Sequence, residues 1–153
     1  MNTLKVDHIL VPHDFSSFAD EALQCALSLA TVYKARVTIL HAYDVSWAAY
    51  PDAYLPSLDE FASQVELAAK GEMAKIASNL RDSSVKVDTT VVSGGPAHEI
   101  VAFVAKSKVD LIVMGTHGRK GLSHVLLGSV AERVVRTATC PVLIVPLAGR
   151  AHE

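Results

Sequence analysis

The sequence predicts an α/β domain with a five-stranded parallel sheet and helices on both faces. Three observations carry this. Five short apolar or β-branched runs alternate with stretches of helical spacing, the order of elements that builds βαβ units. LIVM at 111–114 is apolar without alternation, and HILVP at 8–12 is apolar after its first residue, as strands covered on both faces are. The fourth run leads into a glycine-containing connection of thirteen residues before its helix, longer than a βα loop ordinarily needs.

His8 to Pro12 is the first strand, and the chain leaves it through His13-Asp14-Phe15-Ser16. Ser16 or Ser17 can cap the next helix, in which Ala22, Leu23, Ala26, Leu27 and Ala30 recur at helical spacing through Tyr33. Arg36 to Tyr43, β-branched and apolar, is the second strand. Residues 44–57 follow neither period. Their Trp47, Tyr50, Pro51, Tyr54 and Pro56 make an aromatic loop suited to a lid, a pocket wall or a contact surface, or to plain packing over the sheet edge.

Leu58 to Leu80 returns to helical spacing, weakened at Gly71. Val85 to Val92 alternates apolar with polar residues, so it reads as a strand near an edge with one wetter face. Ser93-Gly94-Gly95 reads as a turn, and Pro96 at the first helical position begins a helix through about Lys106. After the fourth strand, Ser129 to Val135 reads as a short helix that Ser129 caps, with Glu132 completing a capping box. Val142 to Val145 is the fifth strand. One domain over residues 1–147 and a C-terminal tail at 148–153 are expected.

The long connection has the chemistry of a phosphate site. Gly115, Gly118, Gly121 and Gly128 allow N–H groups to turn inward and lie close to an anion. The next helix start adds unpaired N–H groups, its dipole and the Ser129 hydroxyl. Arg119 and Lys120, the cations of the loop, could neutralise phosphate charge or simply be solvated. The glycine spacing is neither that of a Walker loop nor that of the dinucleotide fingerprint. Asp14, at a helix start, can serve the dipole alone or take part in a site.

The spacing Gly115-x2-Gly118-x9-Gly128-Ser129 resembles the glycine signature of the ATP-binding branch of the universal stress protein family. The resemblance extends through Ala131, Glu132 and Arg133 to Cys140-Pro141-Val142-Leu143-Ile144-Val145-Pro146, which is similar to that family's last strand. Val11-Pro12-His13-Asp14-Phe15-Ser16 is similar to its first-strand motif, although His13 stands where a small or β-branched residue is expected.

The resemblance implies a Rossmann-like sheet of order 3-2-1-4-5, with an adenine nucleotide, ATP first among the candidates, held between the first and fourth strand ends. It implies Mg²⁺ or Mn²⁺ bridging the phosphates and a homodimer paired through Val142 to Val145. The nucleotide would lie against Pro12, Asp14 and Ala42, then Gly115, Thr116, His117, Gly118 and Gly121, and finally Gly128, Ser129, Val130 and Ala131. Asp14 would stand at the nucleoside and metal end, and Ala42 would present its backbone to the adenine edge. The function implied is a nucleotide-dependent stress-response module, with a nucleotide-free interaction module or a slow ATPase as the alternatives.

Composition narrows the rest. Net charge is −2, and no Lys/Arg cluster or aromatic-interleaved basic stripe marks a nucleic-acid groove. Seven histidines show no ligand-like spacing, so a zinc site is not expected. No nucleophile, base and orienter occur together, so catalysis is not argued. Cys25 and Cys140 sit in apolar contexts and read as buried free thiols suited to a reducing cytoplasm. No leader or membrane-length apolar run is seen, and a soluble intracellular protein is expected.

Overall fold

The computed structural model describes residues 5–46, 57–117 and 127–147. Over these the chain runs β1 (His8–Pro12), α1 (Ser17–Tyr33), β2 (Arg36–Tyr43), α2 (Leu58–Asn79), β3 (Val87–Ser93), α3 (Pro96–Ser107), β4 (Leu111–Gly115), α4 (Ser129–Thr137) and β5 (Val142–Val145). The five strands make one parallel sheet of order β3-β2-β1-β4-β5. The aromatic loop residues Trp47, Tyr50, Pro51, Tyr54 and Pro56 and the tail lie outside the described residues.

Strand alternation divides the core in two. Ile9, Val11, Val37, Ile39, Leu111 and Val113 pack with Ala22, Leu23 and Ala26 of α1 and Met73 of α2. Their neighbours Leu10, Leu40, Ile112 and Met114 pack with Ile100 and Val104 of α3 and Ala131 and Val134 of α4. Because side chains alternate between faces, a strand covered on both sides is apolar at nearly every position, and the buried polar exceptions His8, Thr38 and His41 are hydrogen-bonded. Ile9, Leu10, Ile39, Leu40 and Ile112 are almost wholly buried, each contributing about 1.5–3 kcal/mol of transfer free energy.

Local chemistry accounts for the helix ends. Ser16 caps α1, its hydroxyl accepting from the Ala19 N–H at 3.3 Å, and Lys34 ends that helix in the left-handed conformation. Gly95 precedes α3 with Pro96 in its first turn. The start of α4 differs from the sequence expectation. Its N-cap is Gly128, and Ser129 is the first helical residue, so no capping box forms. Glu132 instead pairs with Arg136 one turn on, at 2.9 Å, while its N–H donates to the Gly128 carbonyl at 2.8 Å. β3 begins at Val87 rather than Val85, because the Val85 N–H turns back to the Ser83 hydroxyl at 3.1 Å.

Candidate functional site

The sheet reverses its winding between β1 and β4, which are direct neighbours with Ile9 opposite Leu111 and Leu10 opposite Ile112. In open parallel sheets this reversal leaves a crevice outside the carboxyl ends of the strands. Pro12 ends β1 opposite Leu40, Ala42 follows two residues along β2, and Gly115 ends β4. The sheet therefore brings these three predicted residues to one edge of the molecule.

Thr116 anchors the connection that follows. Its N–H donates to the Val145 carbonyl at 3.2 Å, and its carbonyl accepts from the Gly128 N–H at 2.7 Å. His117 packs against the ring of Phe18, centroids 5.5 Å apart, with Nδ1 3.1 Å from the Thr116 hydroxyl. Gly115 has a packing reason for being glycine. A Cβ there would stand 2.8 Å from the Phe18 carbonyl oxygen and 2.9 Å from its carbonyl carbon, so the first turn of α1 rests directly on the end of β4. Gly118, Arg119, Lys120 and Gly121 lie outside the described residues.

At the start of α4, Ser129 is exposed, Val130 is half-buried and Ala131 is buried. Val130 and Ala131 both pack into the core between sheet and helices. Their contribution to a ligand would therefore come from first-turn N–H groups, which have no partner four residues back in a helix. Gly128, lacking a side chain, does not cover them. The helix carries its positive dipole end at this point.

Asp14 sits in a tight turn after β1. Its Oδ1 accepts from the Ser16 N–H at 3.1 Å and from the Ser16 hydroxyl at 2.5 Å, so the carboxylate supports the α1 cap. The residues beside it are buried. His13 is 3 % exposed, its Nδ1 accepting from the Phe15 N–H at 3.1 Å. Its Nε2 stands 3.2 Å from Asp20 Oδ1, close enough for an ion pair with a protonated ring but off line for a hydrogen bond. Burial pushes the His13 pKa below 6.5, opposed by the charges of Asp20 and Asp14.

A groove of about 670 Å³ opens on the α3 and α4 side of the sheet. Asp44, the Gly95-Pro96-Ala97-His98 turn, Ser129, Val130 and the α4 side chains Glu132, Arg133, Arg136 and Thr137 line it. The sequence marks Ser93-Gly94-Gly95 as a turn, and Asp44 only as the first residue of the 44–57 loop, for which a pocket wall is one of several roles. The available signal was position: the two segments follow the neighbouring strands β2 and β3 at the same carboxyl edge of the sheet. Among the described residues, no group of three or more His, Cys, Asp or Glu side chains could hold a metal ion.

The universal stress protein family profile matches residues 5–146. Universal stress protein MJ0531 of Methanocaldococcus jannaschii is 41% identical over 140 residues, covering 90% of this chain and 80% of that protein. The solved structure of M. jannaschii hypothetical protein MJ0577 superposes with a TM-score of 0.81 at 32% identity, covering 97% of this chain and 99% of that one. A universal stress protein solved in complex with cAMP superposes with a TM-score of 0.61 at 25% identity, covering 94% and 99%. With its strand order, its reversal crevice and a match over nearly its whole length, the chain belongs to the universal stress protein family.

Proposed function

We propose that this protein binds an adenine nucleotide, ATP before others, at the crevice outside β1 and β4, and that binding makes it a nucleotide-dependent stress-response module. The observation that carries this is the closure of the glycine connection on Thr116 by the Gly128 N–H at 2.7 Å. That bond sets the first turn of α4 beside the end of β4. Backbone N–H groups of Ser129, Val130 and Ala131 would meet the phosphates, as helix starts meet anions elsewhere. The glycines and cations of the connection, Gly118, Arg119, Lys120 and Gly121, would complete the cradle.

The groove supports the reading by its volume and by Ser129 and Val130 in its lining; Pro12, Asp14, Ala42 and Gly115 lie outside that lining. At about 670 Å³ it has room for a nucleoside beside the sheet, and Ala42 packs on that same face. Asp14 offers carboxylate oxygen at the nucleoside end. Mg²⁺ or Mn²⁺ bound there would be held mostly by the phosphates, as ions with few protein ligands are, and would neutralise their charge. The cAMP complex of a 25% identical relative favours adenine as the base.

The same reading takes residues 1–147 as one domain, with 148–153 a tail, in a reducing cytoplasm that keeps Cys25 and Cys140 as thiols; both are free and half-buried. Among the described residues no helix is long and apolar enough to cross a membrane. A homodimer through β5 would cover that edge strand, whose Leu143 is 38% exposed.

Purified protein should be denatured and removed, and the released small molecules identified by mass spectrometry, with Gly128→Val alongside. Adenine nucleotide near one per chain, absent from the variant, is expected. No release, together with no binding of added ATP and Mg²⁺, would overturn the proposal.

A further inference from the structure

We infer that His13 and His41 are positioning residues that hold the Asp14 turn at the crevice through their δ-nitrogens and the ring of Phe15. This rests on the reading that Asp14 meets the nucleotide. Phe15 adopts a φ of 65°, a left-handed conformation that bulky side chains avoid and that persists only where its surroundings enforce it. Two imidazoles enforce it. His13 Nδ1 accepts from the Phe15 N–H at 3.1 Å, and the Phe15 ring stacks on His41 with centroids 4.3 Å apart at 29°.

His41 closes the arrangement. Its Nδ1 lies 2.7 Å from the His13 carbonyl oxygen; a carbonyl only accepts, so Nδ1 carries the proton. The residues on both sides of Asp14 are thereby fixed, one by hydrogen bonds and one by a stacked ring. The carboxylate itself is anchored locally, through Ser16. Both histidines are buried, at 3% and 9% exposure, and burying an imidazole costs free energy that an apolar residue would not. That cost is offset by the two δ-nitrogen bonds, which no aliphatic side chain can make.

The δ-position gives a specific test, because an Asn amide presents an acceptor or a donor where the imidazole presents Nδ1. ATP with Mg²⁺ is titrated calorimetrically into the full chain and into His13→Leu, His13→Asn, His41→Leu and His41→Asn, each also made with Asp14→Ala. The Leu variants are expected to bind about tenfold more weakly, the scale of one lost hydrogen bond, and the Asn variants to recover most of that loss. With Asp14→Ala present, the Leu substitutions should cause no further loss, since sites acting through one group do not add.

Leu variants that bind within about twofold of the unsubstituted protein, or that lose the same factor without Asp14, would overturn the inference while leaving the nucleotide reading intact. Failure of the unsubstituted protein to bind ATP would overturn that reading, and this one with it. Where a Leu variant does not fold, Phe15→Ala, which removes the ring that lies against both histidines and leaves the Phe15 N–H bond to His13, takes its place with the same expectation and the same overturning result.

Discussion

The Gly128 N–H donates to the Thr116 carbonyl at 2.7 Å, so the connection that leaves β4 returns to it before α4 begins. Gly128 has a φ of −66° and a ψ of 155°, extended backbone open to any residue. Backbone conformation therefore does not bar Gly128→Val, and the expected cost to stability is that of a weaker N-cap, about 1 kcal/mol. Its branched side chain would stand over the first-turn N–H groups. Calorimetric titration with ATP and Mg²⁺ should show at least a roughly tenfold weaker Kd, and an unchanged Kd would refute the assigned role of this turn.

Gly115 makes the opposite case, a glycine required by contact. Ala there would bring Cβ within 2.8 Å of Phe18 backbone oxygen, and backbone of α1 cannot yield as a flexible side chain can. Gly115→Ala is expected to destabilise by about 1–3 kcal/mol, as overpacking does. Urea denaturation measures this, and a variant as stable as the parent would rule the contact out as the reason.

Gly71 lies inside α2, with nothing within 4 Å of a Cβ placed on it. Gly71→Ala should raise stability by about 0.5–1 kcal/mol, through helix propensity and a less flexible unfolded chain. Thermal unfolding should move upward, and a fall would mean that the position is constrained by something besides helix formation.

His8 is 2% exposed at the amino end of the sheet, with Nε2 2.8 Å from the Thr38 hydroxyl and the Arg36 guanidinium 2.9 Å from Nδ1. Burial, reinforced by Arg36, pushes its pKa below 6.5 against the pull of the Ser107 carbonyl. The unfolded chain therefore takes up a proton as pH falls through 6.5 while folded His8 stays neutral. Its contribution is complete above pH 6.5 and is lost as pH falls from there toward the lower folded pKa. Urea midpoints should drop between about pH 7.5 and about pH 5.5, and less so in His8→Gln; an equal drop in both would remove His8 as a source.

β5 ends the sheet with Leu143 exposed, and Val135 of α4 is also exposed. Light scattering on the 16.3 kDa chain is expected to give twice the monomer mass. Leu143→Lys should return it to monomer, since charge on an edge strand opposes pairing. A monomeric parent would remove the dimer from the proposed function.

Much of the fold was legible because its causes are local. The apolar run at 111–114 and the largely apolar HILVP at 8–12 identified strands covered on both faces, Ser16 or Ser17 and Pro96 marked helix starts, and alternation over 85–92 marked an edge strand that the structure places at 87–93. The capping box at Ser129 was misread because a serine followed by a glutamate satisfies the pattern whether or not the residue before it is the cap. Gly128 takes that position once its N–H is tied to Thr116.

The sequence by itself determined the α/β class, the boundaries of most elements and the segment suited to phosphate, because periodicity, capping and glycine chemistry act over a few residues. Tertiary structure alone decided that Gly115 rests on Phe18 backbone, that His41 holds the His13 carbonyl, and that Asp44 and the Gly95 turn share a groove with α4. Those pairs are far apart in the chain. Strand order and register bring them together, and backbone hydrogen bonds that set register are the same for every residue type, so no local pattern records which partners will meet.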